Sequence, residues 1–127
     1  MLMFRGTCWH TGLSPEEMQQ VVGQMMAWFK GLTERGIAAA GQPLGSEGKI
    51  VSGKNGRIVA DGPFAESKEA IGGYILLKIN TLEEAVVIAK QCPLLGYGVE
   101  VEVRAALHEC PLSKEIQPER ELAEAVA

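Results

Sequence analysis

The chain has 127 residues with a net charge of −4, 46% of them hydrophobic and 22% charged, the make-up of one globular domain and not of a disordered segment. Acids outnumber bases, and the short cluster Lys49, Lys54, Arg57 is flanked by Glu47 and Asp61, so the basic face of a nucleic-acid binder is not expected. No apolar run approaches the ~20 residues of a membrane-spanning helix, and Met1–Arg5 lacks the basic-then-apolar layout of a secretory signal; a cytoplasmic protein with no membrane partner is expected.

Residues 1–10 contain a first apolar strand that closes on Cys8-Trp9-His10. Ser14-Pro15-Glu16-Glu17 then opens a helix: Ser14 caps, Pro15 suits the first turn and Glu17 completes a capping box. Met18, Val21, Val22, Met25, Trp28, Phe29 and Leu32 follow at helical spacing and make one buried stripe, ending at Gly36. The same stripe is also suited to lining a ligand pocket, although core packing is the ordinary reading of such periodicity.

A second strand spans residues 37–44. Lys49-Ile50-Val51-Ser52 and Arg57-Ile58-Val59-Ala60 flank Asn55-Gly56, a specific hairpin signal, because a tight hairpin turn needs residues that tolerate positive φ. Residues 74–79 form the most apolar strand and are expected at the sheet centre, since both faces read as buried. Thr81-Leu82-Glu83-Glu84 repeats the capping logic and starts a second helix that runs to near Cys92-Pro93. Val99 to Arg104 alternates apolar and charged residues, as an edge strand with one wet face does.

After Ala106 the composition turns acidic, so the chain divides into a domain at 1–106 and a charged tail at 107–127, with a short helix expected from Pro118. With the hairpin set aside, the order is β-α-β-β-α-β. That order predicts an α+β, ferredoxin-like antiparallel sheet with both helices on one face. The uncovered face then calls for a second copy related by a two-fold axis, a homodimer.

Leu13-Ser14-Pro15-Glu16-Glu17-Met18, the signature run Asp61-Gly62-Pro63-Phe64-Ala65-Glu66-Ser67-Lys68-Glu69, Gly72-Gly73-Tyr74, Glu84-Ala85, Cys92-Pro93 and Tyr97-Gly98 follow one another along the chain. Over about residues 3–104 this series resembles the YCII-related proteins of the DGPF type. The resemblance implies a dimeric α+β barrel in which two ferredoxin-like sheets face each other. Proteins similar in fold include lyases and isomerases of small lactones and monooxygenases that work without metal or flavin. Some members sit beside extracytoplasmic-function sigma factors, which implies a sensing role. A His/Asp pair has been proposed as catalytic in YCII-like proteins; in this chain His10 lies in the matched stretch and His108 in the tail.

Asp61 has two readings, a turn-former before Gly62-Pro63 or a general base whose pKa partial burial would raise. His10 is the imidazole suited to proton transfer near neutral pH, and Tyr74 opens the apolar strand with its hydroxyl within reach of the same mouth. Arg5 and Lys68 are candidates to hold an anionic group, Phe64 to wall a pocket and Tyr97 to add a polar contact. Cys8, Cys92 and Cys110 form an odd set without CxxC spacing, and no HxxxH or phosphate-binding glycine loop occurs, so neither metal nor cofactor is expected. The expected function is binding of a small organic molecule, with an anionic one an option, coupled to cofactor-free acid–base chemistry. The alternative is a non-catalytic ligand-sensing or protein-interaction module.

Overall fold

The computed structural model describes residues 1–6, 9–62, 70–107 and 110–112. Its elements are β1 (Leu2–Arg5), α1 (Pro15–Glu34), β2 (Ala38–Pro43), β3 (Lys49–Ser52), β4 (Ile58–Asp61), β5 (Ile71–Leu77), α2 (Leu82–Ala89) and β6 (Glu100–Val103), with 3-10 turns at Lys54–Gly56 and Pro93–Tyr97. The expected tail helix from Pro118 lies outside the described residues.

Both helices begin where their caps predict. The Glu17 amide donates to the Ser14 hydroxyl at 3.2 Å, and the Ser14 amide donates to the Glu17 carboxylate at 3.3 Å. Two of the orphan donors at this end of α1 are thereby satisfied. Thr81 does the same for α2, accepting from the Glu84 amide at 3.2 Å. Helix α2 stops at Ala89, short of the expected Cys92. Its last amides, Gln91 and Cys92, bond three residues back to Ile88 and Ala89. The spiral has tightened there, and Pro93 brings no amide to continue it; a 3-10 turn follows instead.

The main sheet has the order β2-β5-β1-β6 with every neighbouring pair antiparallel. This is the α+β arrangement that the element order predicts, with β5 inside the sheet and β6 at an edge. Strand β5 starts at Ile71 rather than Tyr74, so Gly72 and Gly73 belong to the strand itself. The β1–β5 register slips between Phe4 and Arg5: Phe4 faces Gly73 while Arg5 faces Ile71. Gly72 is thus the extra residue of a bulge, and glycine suits that position.

Strands β3 and β4 pair only with each other and form a separate ribbon. Asn55 and Gly56 turn it with φ of 63° and 69°, as the Asn-Gly signal predicts. At its base Gly62 donates to the Gly48 carbonyl at 3.1 Å. A Cβ on Gly48 would sit 2.7 Å from the Gly62 carbonyl oxygen, so this crossing of backbones requires glycine.

The core lies between one face of the sheet and the helices. Leu2 and Phe4 of β1 and Ile75 of β5 pack there with Val21 and Leu32 of α1 and Ile88 and Ala89 of α2. Leu2, Val21 and Leu32 are sealed completely, and each contributes on the order of 2 kcal/mol of apolar burial. Alternation along the strands sends Met3, Arg5, Tyr74 and Leu76 to the opposite face, with Met3 directly across from Tyr74.

Candidate functional site

The apolar stripe of α1 divides into two rows. Val21, Met25, Trp28 and Leu32 belong to the core. One step around the helix, Val22, Met26 and Phe29 look into a cavity of about 600 Å³, which Met25 also borders. Core packing, the ordinary reading of the stripe, holds for the first row, while the second row borders the cavity and through Phe29 also packs against the core. Met26, at the i+4 position from Val22, is a lining residue that the sequence reading missed. A second row offset by one residue was the available signal, but it is indistinguishable from a wide core face until the sheet is in place.

The floor of the cavity is built by β1, β2 and β5, through Phe4, Gly41, Gly73 and Ile75. Phe29 lies so close over β2 that a Cβ on Gly41 would fall 2.8 Å from its ring and 3.0 Å from the Tyr74 carbonyl oxygen. A Cβ on Gly73 would come within 3.1 Å of the Gln42 carbonyl oxygen. These two glycines leave bare backbone where other strands carry side chains. Trp9, Leu94 and Val99 close the far side. Met26, Leu44 and Val22 are 67%, 46% and 44% exposed, marking the mouth.

Polar side chains are few. His10, Gln42, Ser46 and Tyr74 are on the lining, and none of the described lining residues is Lys, Arg, Asp or Glu. Gln42 pairs with Tyr74 across the strands, on the face opposite Ile75, so the cavity meets these two chiefly at their backbones. That leaves His10 and Ser46. His10 is exposed, its carbonyl accepts from the Leu13 amide at 3.1 Å in a turn, and its ring stands edge-on to Trp9 with centroids 5.5 Å apart. Tyr97 packs on the same Trp9 at 5.9 Å. It supports the Trp9 wall from outside the lining and does not reach in as a polar contact.

The other expected site residues are placed elsewhere. Asp61 ends β4 on the ribbon with its side chain 76% exposed, paired across the strands with Lys49. It does not line the cavity with His10. The physical reason is topological: the ribbon is a separate sheet, so its end is not the mouth of the main one. Arg5, expected to need an anion from a ligand, finds one in Glu102 at 3.7 Å. Arg104 meets the same carboxylate at 3.8 Å. Phe64 and Lys68 lie outside the described residues.

Among the described residues, no group of three or more His, Cys, Asp or Glu is disposed to hold a metal ion. Likewise, no helix is long and apolar enough to cross a membrane. Burial raises the Cys92 thiol above its ordinary pKa, with hydrogen bonds to the Leu94 and Leu95 backbone pulling the other way. Cys92 belongs to the core and not to the cavity lining.

A search of curated proteins returns no match. The family model of the YCII-related domain matches residues 6–107, a stretch that takes in every element from α1 to β6 and the whole ribbon. The chain belongs to the YCII-related domain family.

Proposed function

We propose that the protein binds a small organic molecule in the cavity between α1 and the sheet. The observation that carries this reading is the cavity itself: about 600 Å³, walled by Phe4, Trp9, Met25, Phe29 and Leu94, with His10 and Ser46 as polar side chains. Small-molecule sites have this character, mostly apolar with a few polar groups that fix orientation. Counting ~30 Å³ per water-sized atom, the space suits a ligand on the order of 20 non-hydrogen atoms. At ~0.3 kcal/mol per atom, that gives about 6 kcal/mol of binding, a dissociation constant in the tens of micromolar.

Acid–base chemistry at this cavity rests on His10, because Asp61 sits on the ribbon. The non-catalytic, ligand-sensing alternative is therefore the stronger of the two functional readings. A second copy completes the molecule by covering the sheet face that carries Met3, Tyr74 and Leu76, where Arg5 and Glu102 already neutralise one another. Such a homodimer leaves the cavity, on the helix side, open to ligand.

The test is a thermal-shift screen of small organic molecules at about 1 mM, on the wild type and on Val22→Trp. The variant plugs the mouth from an exposed helical position. A ligand of the affinity above stabilises the native state by ~2 kcal/mol and raises Tm by about 7 °C for a domain of this size. Compounds that shift the wild type and not the variant support the reading. Shifts of the same size in both, or none at all, refute it.

A further inference from the structure

We infer that the ligand of this cavity is uncharged, flat and aromatic. This rests on the proposed binding role of the cavity and deepens it by naming the chemical class. Charge is the first argument. No described lining residue is Lys, Arg, Asp or Glu. The nearby guanidinium of Arg5 is turned to Glu102 on the sheet. A carboxylate or sulfonate entering this space loses its water and finds no opposite charge on a Lys or Arg among the described lining residues, and such a transfer is disfavoured unless the ion is paired.

Shape is the second argument. The floor at Gly41 and Gly73 carries no side chain. The Phe29 ring lies against the first glycine, and Phe4 stands beside the second, 3.8 Å from where a Cβ would be. The Phe29 ring already fills the space over Gly41, and the aromatic wall of Phe4, Trp9 and Phe29 suits a planar ring system, which can stack on it or meet it edge-on. A branched aliphatic molecule would touch it only at points. Met25 and Met26 on the helix side supply an adaptable, polarizable lid for such a ring. At the mouth, His10 and Ser46 suit a single neutral polar group, such as a hydroxyl or carbonyl.

The test compares 1-naphthol with 1-naphthoate by calorimetric titration near neutral pH, where the first is neutral and the second an anion. Wild type and Met26→Lys are titrated in parallel. Met26 is 67% exposed, so a lysine there leaves the fold intact while placing a cation at the mouth. Wild type is expected to bind naphthol at least about tenfold more tightly than naphthoate. Met26→Lys is expected to narrow that gap, strengthening naphthoate through the added cation and weakening naphthol through the lost methionine contact. Equal or tighter binding of naphthoate by the wild type overturns the neutral-ligand inference and leaves the binding role standing. Binding of neither probe overturns the binding role and the inference with it. Naphthol binding with a gap that Met26→Lys does not alter puts the probe outside the cavity and also overturns the inference.

Discussion

Replacing Gly41 with alanine probes the floor of the cavity at a single atom. The added Cβ falls 2.8 Å and 3.2 Å from Phe29 ring carbons and 3.0 Å from the Tyr74 carbonyl oxygen. Phe29 can rotate away, but only into the cavity that it lines. The Tyr74 carbonyl cannot, because Gly41 sits in the β2–β5 ladder beside it. Overpacking of this kind costs ~1–3 kcal/mol, while removing a glycine from the unfolded ensemble returns ~0.4–1 kcal/mol. The expected net loss is about 1–2 kcal/mol. With a urea m-value of ~1.5 kcal/mol/M, the midpoint falls by about 1 M. Phe29→Leu shortens the side chain that takes most of the clash, so the double variant is expected to lose less than the two single losses combined, by ~0.5–1 kcal/mol. A Gly41→Ala protein as stable as the wild type, or strictly additive losses in the double variant, would refute the close packing of Phe29 on β2.

Two further outcomes are expected. Asp61→Asn removes an ion pair whose partners are 66% and 76% exposed; it should cost no more than ~1 kcal/mol in urea unfolding and leave naphthol affinity unchanged, and a large loss of affinity would return Asp61 to the site. Cys92 contributes to the alkaline limb: well below its ordinary pKa of 9.0 the thiol is protonated in both states. Above that value the unfolded chain ionises while the buried thiol resists, so stability falls with rising pH by up to ~1.4 kcal/mol per unit until the folded thiol also titrates. The slope difference between wild type and Cys92→Ala, measured by urea unfolding from pH 8 to about pH 10, isolates this contribution, and identical slopes would contradict it.

Most of the fold was legible because its signals are local. A capping box at Ser14, a threonine cap at Thr81 and an Asn-Gly turn at 55–56 each depend on residues three or fewer positions apart, and each appears in the structure. The start of β5 was misread because Gly72 and Gly73 look like a turn. Only the register against Phe4 and Arg5 makes them strand. The site was less legible. Asp61 follows an apolar strand and precedes Gly62, a pattern shared by catalytic strand ends and by hairpin bases. His10 and Trp9 do border the cavity, but nothing next to them in the chain distinguishes a cavity wall from an exposed loop.

The sequence by itself determined the order of elements, their caps and turns, and hence the antiparallel α+β sheet with helices on one face. These follow from hydrogen-bonding and dihedral preferences that act over a few residues. Which side chains share a space was decided by the tertiary structure alone. The ribbon separates from the main sheet and takes Asp61 with it, Glu102 reaches Arg5 from a strand nearly a hundred residues away, and α1 lies over β2 so that one of its two apolar rows borders the cavity. Such outcomes depend on register and on the distance between layers, which no local preference encodes.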